Sequence, residues 1–176
     1  IHDMGNNDNH DEFFKQYSFL LKDLYRILKP GRLMCCHTKD LAVYKNSSGY
    51  TGLYNFTRDH DLAVEEVGFK YHSKINIWTD PVLEMQRTKT QRLLYKQLRK
   101  DSSYTGVGLP EYVTVYRKWE GNEEEWTPIN NKNAENFPLD TWQNWASPVW
   151  NVEKSDIEHL QEVEKEYNEI KKIIYQ

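Results

Sequence analysis

At 176 residues the chain has the size of one ordinary domain, yet only 38% of it is apolar, below the usual share for a core that stands alone, so partner segments are expected to complete it. The formal net charge of −4 hides a segregation: residues 84–118 carry eight Lys/Arg against three Asp/Glu, and residues 119–176 carry five against thirteen. No apolar run is long enough to span a bilayer, no charged-then-apolar leader opens the chain, and the only cysteines are adjacent, so the expectation is a soluble, cytoplasmic chain without a disulfide framework.

The polar run from Asp3 to Asp11 follows Ile1 rather than Met, so the sequence reads as an excerpt. From Asp11 to Leu28, Phe13, Phe14, Tyr17, Leu20, Leu21, Leu24 and Leu28 recur at three and four, one apolar stripe on a helix of about five turns. Lys29-Pro30-Gly31 stops it. Arg32-Leu-Met-Cys-Cys-His37 is a short apolar run after a turn, the pattern of a strand buried on both faces, which would keep Cys35 and Cys36 buried and non-nucleophilic. Lys39 to Leu53, with Asn46-Ser-Ser-Gly49 and Gly52, carries turn chemistry and predicts a mobile loop. Asn55 caps a helix over 56–67 with Phe56, Leu62, Ala63 and Val67 inward, and Gly68 ends it. Phe69 to Trp78 alternates as a half-exposed strand, with Phe69, Tyr71, Ser73, Ile75 and Ile77 on one face. Asp80-Pro81 breaks it, and an irregular link leads to a short helix, Thr90 to Lys100, with Leu93, Leu94 and Leu98 inside and a basic outer face. A loop, Asp101 to Pro110, enters the β-branched and aromatic strand Tyr112–Lys118, which should pair with 69–78. Beyond Glu120 an acidic, Asn-rich stretch has Trp126, Trp142, Trp145 and Trp150 as anchors, and Ser155 opens a charged helix whose Ile157, Leu160, Val163, Tyr167, Ile170 and Ile174 are three and four apart.

Several longer runs are more specific: Asp3-Met-Gly-Asn6, Ile77-Trp-Thr-Asp-Pro-Val82, Glu84-Met-Gln-Arg-Thr-Lys89, Leu94 to Ser103, and Gly108-Leu-Pro-Glu-Tyr-Val113. With the order helix, Leu28-Lys-Pro-Gly-Arg-Leu33, strand, loop, helix and strand pair, residues 1 to about 119 resemble site-specific DNA methyltransferases of bacteria and phages, of the adenine-N6 or cytosine-N4 type in its circularly permuted arrangement. The resemblance implies an α/β chain, the second half of a Rossmann-type fold that uses S-adenosylmethionine, with the last strand inserted antiparallel. It implies a methyltransferase portion over 1–119 whose basic excursion, 79–110, faces DNA; the segment 120–176, which the resemblance does not cover, is a candidate target-recognition region, with anchoring of a polar loop as the plain alternative for its tryptophans. S-adenosylmethionine is the implied cofactor, and double-stranded DNA and the remaining segments of the same methyltransferase are the implied partners, in a restriction–modification setting. The family's Asp/Ser-Pro-Pro-Tyr/Phe tetrapeptide and glycine-rich cofactor loop do not occur in the 176 residues, so no catalytic residue is assigned.

His37, Lys39 and Asp40 fall where a parallel strand meets its loop, the edge at which α/β sheets bind ligands, and are the candidates for contact with the cofactor or an extruded base. For His37, capping or packing is the plain alternative. Arg87, Lys89, Arg92, Lys96, Arg99 and Lys100 are the candidates for neutralising phosphates, with Ser102, Ser103 and Tyr104 as neutral phosphate partners; a solvated helix face is the alternative. Trp78, at a strand end, is either a stacking platform or a rim residue. His2, Asp3 and His10 match no zinc spacing, and no metal is expected. The rival function is a non-catalytic DNA-binding or interaction module derived from such an enzyme, and the terminal apolar stripe offers a route to a homodimer.

Overall fold

The computed structural model describes residues 7, 9–88, 91–120 and 138–151. His2, Asp3, Lys89, the acidic stretch 121–136 and the expected helix from Ser155 lie outside the described residues.

Asn9 caps α1 (His10–Ile27) by accepting the Glu12 amide at 2.8 Å, and Asp11 and Glu12 occupy the first turn, where the helix dipole favours negative charge. The apolar stripe turns Leu21 fully inward, with Tyr17, Tyr25 and Leu28 packed around it. The Lys-Pro-Gly turn, with Gly31 at φ 73°, then drops the chain into β1 (Leu33–Lys39). That turn is fixed from the strand beside β1, because the Gly31 amide donates to Lys118 O at 2.8 Å and Lys118 Nζ donates to Leu28 O at 2.9 Å.

The segment expected to be a mobile loop is a small built unit: β2 (Leu41–Val43) pairs antiparallel with β3 (Gly52–Tyr54) across a single turn, α2 (Lys45–Ser48). Asn55 Oδ1 accepts the Arg58 amide at 3.0 Å to start α3 (Phe56–Val67). Gly68, at φ 119°, ends it where a Cβ would come within 3.3 Å of the Tyr25 ring. The inward face of α3 agrees with expectation in part, since Ala63 and Val67 pack against the core and Phe56 is half-buried. Leu62 is exposed, and Thr57, His60 and Val64, three and four apart, are buried. Val64 joins the apolar core, while His60 meets the hydroxyls of Tyr17 and Tyr116.

The main sheet has the order β1-β5-β4-β6. β5 (Glu111–Arg117) runs antiparallel to both β1 and β4 (Lys70–Trp78), so β1 and β4 are parallel with a reversed strand inserted between them. Beyond the expected three strands, α6 (Leu139–Trp145) leads to β6 (Val149–Asn151), which adds parallel to β4. A bulge at His72 breaks the predicted alternation: Tyr71 pairs with Tyr116 but Ser73 pairs with Val115, which puts them on opposite faces.

The helix-covered face holds the core, Leu21, Val64, Phe69 and Tyr116. The other face of β1 leaves Leu33 and Cys35 exposed among the described residues, so β1 is buried on one side only. This corrects the expectation for the cysteines: Cys35 is exposed, and only Cys36 is partly buried, its thiol pushed up to about 11 by burial first and the neighbouring Cys35 second.

Between β4 and β5 the expected irregular link is a helix. Asp80 Oδ1 accepts the amides of Val82 and Leu83 at 2.7 and 3.1 Å and starts α4 (Pro81–Thr88), with Pro81 at its first position. The helix expected over 90–100 is interrupted: a 3₁₀ turn (Gln91–Leu93) is followed by extended Leu94 and then α5 (Tyr95–Lys100).

Candidate functional site

β1 delivers His37, Lys39 and Asp40 to its C-terminal end, but a strand alternates, and they do not form one site. Lys39 stands opposite Glu111 and His37 opposite Val113, on the face away from the helices. Lys39 Nζ donates to Glu84 Oε2 at 2.9 Å and to Glu111 Oε1, and His37 Nε2 lies 3.2 Å from Glu111 Oε2. Burial opposes the charge on Glu111, yet the hydrogen bonds and charges of Lys39 and His37 outweigh it and hold the carboxyl below its ordinary range. Glu84 is 2% exposed, and its Oε1 has no partner among the described residues. Neither Glu84 nor Glu111 is among the residues singled out from the sequence. The Asp80-Pro81 helix start was the available signal, since it puts Glu84 one turn into α4.

Asp40 belongs to the helix-covered side. Its Oδ1 accepts the Thr57 amide at 3.1 Å, which ties the end of β1 to the first turn of α3. It also lines a cleft of about 330 Å³ with Asn55, Thr57, Arg58, Asp61, Leu62, Lys74 and Tyr112. Deeper on this side a buried hydrogen-bonded chain crosses four elements. Tyr17 Oη lies 3.1 Å from His60 Nε2, and His60 Nδ1 lies 3.2 Å from Tyr116 Oη. The Tyr116 hydroxyl donates to Asp61 Oδ1, and Lys74 donates to Asp61 Oδ2. Burial first, then Cys36, raises the Tyr17 phenol to about 12, and burial first, then Asp61, raises that of Tyr116.

The predicted DNA-facing residues divide. Arg87 on α4, Lys96, Arg99 and Lys100 on α5, and Ser102 are exposed, and none of the four cations makes an ion pair among the described residues. Lys96, Arg99 and Lys100, three and four apart, share one face. Arg92 is partly buried, and its guanidinium packs so closely on Gly106 that a Cβ there would fall 2.1 Å from Nη2. Ser103 donates both its hydroxyl and its amide to Asp101 Oδ1, at 2.6 and 3.0 Å, and the Tyr104 amide donates to Asp101 O at 3.2 Å. These three shape the loop that follows α5.

Trp78, Trp142, Trp145 and Trp150 are all exposed, and Trp150 Nε1 donates to Trp145 O at 3.3 Å. His10 opens α1 and stacks on Tyr54 with ring centroids 3.9 Å apart. Among the described residues no group of three metal-binding side chains gathers, and no helix is long and apolar enough to cross a membrane.

No protein-family model and no curated protein matches the chain. Solved structures do. A Thermus thermophilus protein assigned as a DNA modification methylase, complexed with S-adenosyl-L-methionine, superposes with a TM-score of 0.61 at 15% identity, over 87% of this chain and 56% of that one. Its selenomethionine derivative gives 0.57 at 16% identity, over 81% and 53%. The chain therefore spans about half the length of the methylase it matches. The chain shares the mixed α/β fold of that methylase.

Proposed function

We propose that the chain is part of a site-specific DNA methyltransferase that moves a methyl group from S-adenosylmethionine to an exocyclic amino nitrogen of a base, adenine N6 in preference to cytosine N4. The observation that carries the reading is the basic arm: the connection from β4 to the inserted antiparallel strand β5 holds Arg87, Lys96, Arg99 and Lys100, exposed and unpaired among the described residues. On a sheet of this fold the arm leaves from the ligand-binding end of the parallel strands. The solved neighbour's S-adenosyl-L-methionine complex supports the choice of cofactor.

When bound, S-adenosylmethionine would supply an electrophilic sulfonium methyl for the amino nitrogen, the N–C bond replacing the C–S bond with loss of an amine proton. The residues here bind and orient. His37 and Lys39, with Glu111 and Glu84, and Asp40 on the other side are the groups that would meet the cofactor or the base, and this carboxylate-rich edge suits a ligand bearing sulfonium and ammonium charge. The basic arm, with Lys89 included and Arg92, Ser103 and Tyr104 shaping its loop, positions duplex DNA. Residues 120–176 serve target recognition, and a homodimer through the terminal stripe fits a bacterial or phage restriction–modification enzyme.

The test is to incubate the protein whose gene carries this chain with unmethylated DNA and methyl-labelled S-adenosylmethionine, expecting label on adenine N6. Label on cytosine would move the target base; DNA without label would sink the reading. The basic arm is intact while the Pro-Pro-aromatic tetrapeptide is absent from these 176 residues, so DNA binding without methylation would establish the non-catalytic module instead.

A further inference from the structure

The cleft under the first turn of α3 is lined by a buried hydroxyl without a partner and by a carboxylate with one oxygen that no donor among the described residues holds. Asp40 is 8% exposed, and while its Oδ1 accepts the Thr57 amide, its Oδ2 accepts nothing among the described residues. Thr57 is 3% exposed, and its hydroxyl is buried without a hydrogen bond. Both line the same cleft, whose roughly 330 Å³ lies within the range of small-ligand cavities. The other charges there are already matched: Asp61 accepts hydrogen bonds from Lys74 and from Tyr116, and Arg58 sits 2.7 Å from Asp59. Lys74 Nζ also lies 5.3 Å from the centre of the Tyr112 ring. What remains is a carboxylate oxygen with no donor among the described residues beside a buried hydroxyl without a partner, and a buried hydroxyl of this kind is ordinarily satisfied by a hydrogen-bond partner.

We infer that this cleft recognises an amino group, with Asp40 Oδ2 as its charged acceptor and the Thr57 hydroxyl as second partner. The inference rests on the methyltransferase reading, which supplies two ligands with such a donor: the exocyclic amine of an extruded base and the ammonium of the cofactor. The shared chemistry is an N–H donor presented to a carboxylate held rigid by a helix N-terminus. The site is distinct from the His37–Lys39–Glu111–Glu84 cluster, which lies on the opposite face of β1.

The experiment is a titration of the full-length protein that carries this chain with S-adenosylhomocysteine and, separately, with 2′-deoxyadenosine, following the Thr57 and Tyr112 amides by NMR. One of the two probes should shift both amides saturably, and which one does so identifies the source of the amine. Asp40→Asn keeps an oxygen for the Thr57 amide but loses the charge, and should weaken that probe at least tenfold. Thr57→Val, which leaves the backbone tie intact, should weaken it severalfold and decides the matter if Asp40→Asn does not fold. Cys35→Ser, on the other face, should bind within twofold of the natural chain. Silence of both amides with both probes, or unchanged binding by both cleft variants, overturns the inference. Salt-dependent DNA binding through α5 is scored separately: its loss with the cleft responsive sinks the DNA reading, and its presence with the cleft silent sinks only the cleft.

Discussion

Two polar networks flank β1, and they end differently. On the helix-covered side the bonds have one consistent direction: Tyr116 donates to Asp61, so its oxygen accepts from His60 Nδ1–H, and His60 Nε2 is left to accept from Tyr17. Lys74 closes the far end on Asp61. Every member has its partner, and a satisfied buried network rigidifies the elements it joins, here α1, α3, β4 and β5. On the open side, Lys39 holds two carboxylates and Glu84 still has an oxygen without a donor. The first network is framework. The second sits at the C-terminal end of β1 and joins that framework to the basic arm through Glu84 of α4.

The sharpest way to test the difference between the two faces is a pair of truncations. Phe69→Ala empties the fully buried centre of the covered face and should cost about 3–5 kcal/mol in urea unfolding, whereas exposed Leu33→Ala should stay within about 0.5 kcal/mol. Equal losses would show that the open face of β1 is covered in the native protein. Next in size is Lys39→Met, which strands Glu84 and Glu111 without their cation and should cost about 3 kcal/mol, with Glu84→Gln on the same background recovering part of it. A second change that only adds to the loss would mean that the carboxylates have another partner.

How far the sequence was legible follows the same divide. Local signals carried the caps and the stripes: Asn55 and Gly68 bound α3 as the residue types require, and Leu21 sits at the centre of the apolar repeat of α1. The antiparallel placement of the last strand came with the family resemblance. What could not be read were contacts made across the sheet. His60 gives no apolar signal, and its burial depends on Tyr17 and Tyr116, 43 and 56 positions away. The bulge at His72 inverted the expected face of Ser73, and Glu84 became part of a site only because α4 folds back onto Lys39. Asp40 was singled out for its place at a strand end, but alternation sends it to the side opposite Lys39.

The covered network also makes a pH prediction. His60 has its pKa lowered, by burial first, with Lys74 adding to the effect and Asp61 opposing it. The native state thus binds a proton less readily than the unfolded chain, so stability is full above the unfolded value of about 6.5 and is lost as pH falls from there toward the lower native value. Urea midpoints measured from pH 7.5 to 5.5 should fall for the natural chain and flatten for His60→Gln. A midpoint that rises on acidification would mean that His60 is charged in the fold and that its Nε2 donates to Tyr17 instead of accepting from it.

The smallest expected change in stability belongs to the arm, and there the effect should appear in binding instead. Lys96, Arg99 and Lys100 are exposed on one face of α5 and make no ion pair among the described residues, so replacing all three with Ala should move the unfolding free energy by no more than about 0.5 kcal/mol. If each neutralises a phosphate, the log–log dependence of DNA affinity on salt should flatten by about 0.9 per residue removed. Arg92→Ala is the internal contrast. Its guanidinium is packed against Gly106, so its loss should loosen the loop after α5 and cost stability, with little change in the salt slope. An unchanged slope in the triple variant would make the α5 face a solvated surface, and the difference between framework and arm would then be one of burial alone.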